Sequence, residues 1–117
     1  MADVTTVPEI LQPLMGKPSS SAPWCLVCGR THPLEQHHVV PRSAGRAFEG
    51  GVELEKPALT LCGFGNNLRD ADGREYCHGL AHHGRLHFRW NGRWERLLTD
   101  APTPYVDALA MDGWRAL

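Results

Sequence analysis

The chain has 117 residues, 21% of them charged and 42% hydrophobic, a composition that fits one small globular domain. Its formal net charge is -1, so global electrostatics does not mark a nucleic-acid binder, and no apolar run is long enough to span a bilayer. The N-terminus offers Asp3 and Glu9 instead of a basic region, and Pro8 and Pro13 interrupt its apolar stretch, so no targeting segment is read there and a cytoplasmic location is expected. In that compartment four cysteines are more readily zinc ligands than disulfides. A core of this size is marginal, and a metal clip would relieve the deficit.

In chain order, residues 1–23 read as a flexible arm, because Gly16 to Pro23 (GKPSSSAP) is too polar and too rich in Pro and Ser to pack. The folded part, 24–117, is expected to be small α+β, with a core over 25–87 and a hairpin and helix over 86–113. Cys25 to Arg30 (CLVCGR) predicts a knuckle with two thiols flanking a turn that Gly29 closes. Val39 and Val40 predict a short strand that Pro41 stops, followed by a loop from Arg42 to Gly51. Ala58 to Cys62 (ALTLC) predicts a second strand, and Gly63 to Tyr76 a long polar loop containing Asn66 and Asn67. Cys77 to His83 has helical character, with Gly84 as its C-cap. LHFRW and RWERLL flank Asn91-Gly92, a hairpin signal; a two-residue turn there would put Trp90 and Trp94 on opposite faces. Thr103 as N-cap and Pro104 predict a last helix through Met111, ended by Gly113.

Charge is unevenly spread. Arg85, Arg89, Arg93, Arg96 and His87 stand against the single acid Glu95, whereas the tail carries Asp100, Asp107 and Asp112 against Arg115. The basic strip either faces phosphates or is a solvated hairpin face.

Two groups of residues carry chemistry. Cys25, Cys28, Cys62 and Cys77 supply four soft ligands for a tetrahedral zinc, which would cross-link the knuckle, the second strand and the helix start. A redox pair at Cys25 and Cys28 is the alternative, but no βαβ pattern surrounds it. His78 and His82 are spaced i, i+4, so on a helix both imidazoles project from one face, and His37 can complete a three-histidine site. Adjacent strand residues point opposite ways, which leaves His38 free as a base near neutral pH. Arg42 is placed to hold a phosphate with its guanidinium fork, or is an ordinary loop cation. His83 is a substitute ligand at most, His87 is expected at the surface, and Phe88, Trp90 and Trp94 are expected to pack the core more than to stack on bases.

The order Cys-x-x-Cys, His-His-x-x-Pro-Arg, Leu-Cys-Gly, Cys-His-x-x-x-His over Cys25 to about His87 resembles the HNH endonucleases, closest to the zinc-stabilised kind carried by bacteriophages and prophages. The resemblance implies a ββα-metal fold that hydrolyses DNA phosphodiester bonds with one divalent cation (Mg²⁺, Mn²⁺, Ni²⁺ or Zn²⁺) and a structural Zn²⁺ on the four cysteines. It implies His38 as general base, and His37, His78 and His82 as ligands of the catalytic cation. By resemblance, the partners are DNA and the terminase subunits of a phage packaging motor inside a bacterial host, with no membrane partner. The chain departs from the family at the start of the second strand, where the usual middle Asn gives way to Lys56, Pro57 and Ala58. Asn66 or Asn67 is the candidate replacement, and turn formation is the equal alternative for both. Two other classes compete. A non-catalytic zinc module binding DNA or protein is favoured by that missing Asn. A zinc nucleobase deaminase is prompted by PWCLVC at Pro23 to Cys28, but His32 and Glu35 have the wrong spacing and Trp24 precedes Cys25.

Overall fold

The structure is a computed structural model that describes residues 5–117. Residues 1–4 of the expected arm lie outside the described residues. The rest of that segment is packed, contrary to the sequence expectation. Its sparse apolar residues are spaced to be used: a 3-10 turn over Glu9–Leu14 buries Leu14, and Val7 and Met15 join the core. Ser20 then bridges to Leu59, and Trp94 Nε1 donates to the Pro18 carbonyl at 2.6 Å. Proline removes backbone donors but leaves its carbonyl to be used, which is why GKPSSSAP packs as an extended cover.

At the centre lie β1 (Leu34–His38) and β4 (Ala58–Cys62), antiparallel, with Leu34 opposite Cys62 and His38 opposite Ala58. β4 is the strand expected at ALTLC. It is buried without alternation, Leu59 and Leu61 being fully covered, because chain packs on both its faces. Its one buried hydroxyl is satisfied: Thr60 Oγ1 accepts from Gln36 Nε2 at 2.8 Å and from the Ala22 N–H at 3.3 Å.

The first strand is not where β-branched residues placed it. Pairing ends at His38; Val39 and Val40 follow, with Val40 fully buried as the chain turns away and the Val39 N–H held by the Pro57 carbonyl at 3.0 Å. The expected Arg42 to Gly51 loop contains a 3-10 turn, Arg42–Ala44, and the first strand of a ribbon, β2 (Phe48–Glu49) with β3 (Val52–Glu53). Gly50 and Gly51, at φ +58° and +79°, make the turn between them.

Helix α1 (Cys77–His82) packs against β4, so two antiparallel strands and a helix form one unit. Gly84 at φ +75° follows the helix as expected. The hairpin is β5 (Leu86–Trp90) and β6 (Trp94–Leu98), but its loop has three residues, with Gly92 at φ +71°. Trp90 is therefore directly opposite Trp94 on one face, and the rings meet edge to face at 5.3 Å, where a two-residue turn would have separated them. A further strand, β7 (Arg115–Ala116), adds to β6. Helix α2 spans only Tyr105–Leu109: Pro104 is extended at ψ 144°, so the helix starts after it, and Thr103 Oγ1 donates to the Ala101 carbonyl instead of capping. No helix among the described residues is long and apolar enough to cross a membrane.

Candidate metal centres and cleft

The knuckle forms as its glycine requires. Gly29 sits at φ +79°, its N–H bonds the Cys25 carbonyl at 2.8 Å, and the Cys25 N–H bonds the Arg30 carbonyl at 2.7 Å. The Leu26 N–H reaches the Thr60 carbonyl at 3.0 Å, which pins the knuckle to β4. Cys62 ends β4 and Cys77 begins α1. The long segment between them returns on itself: Asp70 Oδ1 accepts the N–H groups of Asp72 and Arg74, and the Tyr76 N–H bonds the Leu68 carbonyl at 2.8 Å. That closure brings Cys77 back to the knuckle despite its distance in sequence.

Cys25, Cys28, Cys62 and Cys77 thus present sulfurs all within 4.8 Å of one another, a cluster that can hold a metal ion such as zinc. Hydrogen bonds from Cys62 and Cys77 push the Cys25 thiol far below its ordinary value. The bond from Cys25 drives the Cys62 thiol up to about 11, and Cys25 with Cys62 raises Cys77 further still. A divalent cation would stabilise the thiolate form at all four positions. Donors already face them, with the Cys77 N–H 3.3 Å from Cys62 Sγ. The Arg30 guanidinium packs beside the site, paired to Asp70 at 2.7 Å and lying 4.8 Å over the Tyr76 ring, with one buried Nη1 that has no hydrogen-bond partner.

The second cluster lies on the other side of the α1 start. His37 from β1 meets His78 and His82 from one face of α1, and one ring nitrogen of each lies within 4.8 Å of the others. The Nε2 atoms of His78 and His82 are 3.0 Å apart. Glycines let α1 pack closely against the end of β4 and the loop after it: a Cβ on Gly63 would stand 2.4 Å from His78 Cβ, and one on Gly79 would stand 2.2 Å from the Asn67 carbonyl oxygen. Burial, then the neighbouring imidazoles, lowers His37 to about 3, and burial with His78 lowers His82. Both shifts favour the neutral imidazole, the form that ligates a cation.

Sequence reasoning missed Glu35. Its Oε1 accepts the Gly65 N–H at 2.8 Å and faces His78 Nδ1 at 3.0 Å, and these contacts, His78 foremost, hold its carboxyl below the usual range. The available signal was the strand period: Glu35 is two residues before His37 and shares its face.

His37, His78 and His82 open into a cleft of about 660 Å³ whose lining also includes His38, Arg42, Leu11, Phe88 and Tyr105. Among the described residues no carboxylate lines it. The Arg42 side chain is exposed and has no acidic hydrogen-bond or ion-pair partner among the described residues; an adjoining pocket places Arg42 and His38 beside Glu53, Glu55 and Lys56. Asn66 is exposed on the loop after β4 and does not line the cleft; turn formation accounts for its segment, the Asn67 N–H bonding the Phe64 carbonyl at 3.2 Å. What holds the chain after β1 is Lys56, whose Nζ donates to the Arg42 carbonyl at 3.2 Å.

The basic strip of the hairpin is largely consumed internally. Arg85 pairs with Glu75 at 2.8 Å, and Arg89 pairs with Glu95 at 2.8 Å while stacking on Trp114. His87 is buried, not at the surface, and its Nε2 donates to the Gly84 carbonyl at 2.8 Å. His83 is exposed and outside the cluster. Comparison with family models, with curated proteins and with solved structures finds no match for this chain.

Proposed function

We propose that the chain is a metal-dependent endonuclease of the HNH kind that hydrolyses DNA phosphodiester bonds. One observation carries this reading: three imidazoles from β1 and α1 converge on a cleft whose lining also includes His38 and Arg42. His37, His78 and His82 would hold a divalent cation, which when bound supplies positive charge to the scissile phosphate and its departing oxygen.

The chain's own groups do the rest. His38, at the end of β1, takes a proton from the attacking water, a task suited to an imidazole near neutral pH. Arg42 grips a non-bridging phosphate oxygen from the turn that follows. Lys56 keeps that turn in place, the part the family's middle Asn would play, so Asn66 is given no catalytic role here. Among the described residues the cleft lining has no carboxylate, which suits an anionic backbone and offers no paired acids for a two-metal mechanism. The four cysteines, with a structural zinc, tie the start of α1 to β4. By the family resemblance the products carry 5′-phosphate and 3′-hydroxyl ends, the source is a phage or prophage acting in the bacterial cytoplasm, and terminase subunits are the partner; a pull-down under packaging conditions that recovered no terminase would remove that partner.

The rival is a non-catalytic zinc module that binds DNA or protein, favoured by the absence of an Asn at the start of β4 and by the internal pairing of the hairpin arginines. Supercoiled-plasmid cleavage with each cation in turn, beside His38→Ala, separates the two. Cation-dependent nicking that His38→Ala reduces by about 10²- to 10⁴-fold supports the nuclease. A folded, zinc-loaded chain that binds one metal and cuts nothing supports the module.

A further inference from the structure

We propose that Glu35 is the positioning residue of the three-imidazole cluster: its carboxylate sets the tautomer and ring orientation of His78 and thereby the grip of the cluster on a cation. The inference rests on the reading that His37, His78 and His82 hold that cation.

Glu35 and His37 are two apart on β1, so both project from the face on which α1 lies. One carboxylate oxygen, Oε1, receives the Gly65 N–H at 2.8 Å and His78 Nδ1 at 3.0 Å. An ionised carboxylate only accepts, so Nδ1 is the nitrogen that carries the proton. In a neutral imidazole the lone pair then resides on Nε2, the atom that faces His82 Nε2 at 3.0 Å. Gly63 makes the pairing possible, since a Cβ there would lie 3.2 Å from Glu35 Oε1 and closer still to His78. Among the described residues the other side-chain hydrogen-bond partner of His78 is His82 Nε2, which can either give or take a proton and so does not by itself fix the tautomer. A carboxylate on the far nitrogen of a ligating histidine also raises its basicity and restricts its rotation. Glu35 thus joins β1, the segment after β4 and α1 at the point where the cluster must be rigid.

The test uses the full chain carrying one equivalent of zinc. Ni²⁺ is titrated calorimetrically into the unsubstituted protein, Glu35→Ala and Glu35→Gln, with His82→Ala locating the uptake at the cluster. Long-range ¹⁵N–¹H spectra read the His78 tautomer before Ni²⁺ is added. Glu35→Ala is expected to weaken Ni²⁺ binding by about 10- to 100-fold and to release His78 from the Nδ1–H form. Glu35→Gln, whose amide oxygen still accepts, is expected to keep the tautomer and bind close to the unsubstituted chain. If Glu35→Ala does not retain its zinc, Glu35→Asp replaces it, because it keeps the charge but withdraws the oxygens by one methylene. Equal Ni²⁺ affinity in the unsubstituted and the Ala or Asp chains, or an unchanged His78 tautomer, overturns the proposal alone. Absence of Ni²⁺ uptake by the unsubstituted chain overturns the cluster reading and the proposal with it.

Discussion

Cys77 and His78 are consecutive at the start of α1, yet they belong to different clusters that could hold a metal ion, Cys77 to the four thiols and His78 to the three imidazoles. Successive helical side chains are rotated by about 100°, which is what lets one turn serve two sites. Cys77→Ser is therefore expected to do more than release zinc. Freed from the knuckle and β4, the first turn of α1 should fray, and His78 should leave its partners. Chelation of the zinc should act likewise. Thermal melting should lose its cooperativity, and cation uptake at the histidines should weaken in parallel, as measured by calorimetry on the same samples. Undiminished uptake in the zinc-free chain would show the two clusters to be independent.

Gly79 offers a mutation that touches neither cluster directly. An added Cβ would meet only backbone, the Asn67 carbonyl at 2.2 Å and Leu68 Cα at 2.9 Å, so no side chain can swing aside. Gly79→Ala is expected to cost about 1–3 kcal/mol by overpacking, despite the higher helix propensity of Ala. Urea denaturation reads the loss; a stabilised variant would mean that the segment before α1 yields freely.

How much of this was legible depended on where the information resided. The grouping of the two side-chain clusters was written in residue type and spacing: Cys-x-x-Cys as a turn bite, His78 and His82 as one helical face. β4 was legible because ALTLC is a short run, apolar except for the β-branched Thr60, bounded by Pro57 and Gly63. β1 was not, because Leu34 to His38 is mostly polar and owes its strand state to pairing with β4, a tertiary effect that local propensity does not carry. The N-terminal segment misled for a similar reason: a few apolar anchors, the bridge of Ser20 to Leu59 on β4 and an indole bond from Trp94 hold it, and none of these is visible in composition. The Trp pair turned on one residue of loop length, which reverses the face of every side chain beyond it. Glu35 and Lys56 were hidden because their roles consist of contacts to distant partners, the His78 ring and the Arg42 carbonyl.

The hairpin should show an acid-sensitive ion pair. Glu95 is buried on β6, and the Arg89 guanidinium at 2.8 Å, aided by Asn91 and Arg93, holds its carboxyl below the ordinary glutamate value. A group depressed in the folded state binds its proton less readily there than in the unfolded chain. Its contribution is therefore complete above the unfolded value, about 4.3, and is lost as pH falls through the lower folded value. The stability gap between the unsubstituted chain and Glu95→Gln should be flat near neutrality and shrink only below about pH 4. A gap that stays constant on acidification would place the benefit of Glu95 in packing instead of charge.

Lys56 tests the catalytic reading from outside the metal sites. Its Nζ bonds the Arg42 carbonyl at 3.2 Å, and the adjoining Pro57 carbonyl takes the Val39 N–H at 3.0 Å, so the two contacts bracket the segment leading from His38 to Arg42. A single partly exposed hydrogen bond contributes only about 1 kcal/mol, and Lys56→Met should melt close to the unsubstituted chain. If the segment presents the base and the phosphate ligand, a small displacement has a larger effect on rate. Nicking should fall by about 10- to 100-fold with cation affinity unchanged, since none of the three imidazoles is on that segment. Lys56→Arg, which can still donate, should recover part of the rate. Equal nicking by Lys56→Met would mean that the turn is held by backbone contacts alone.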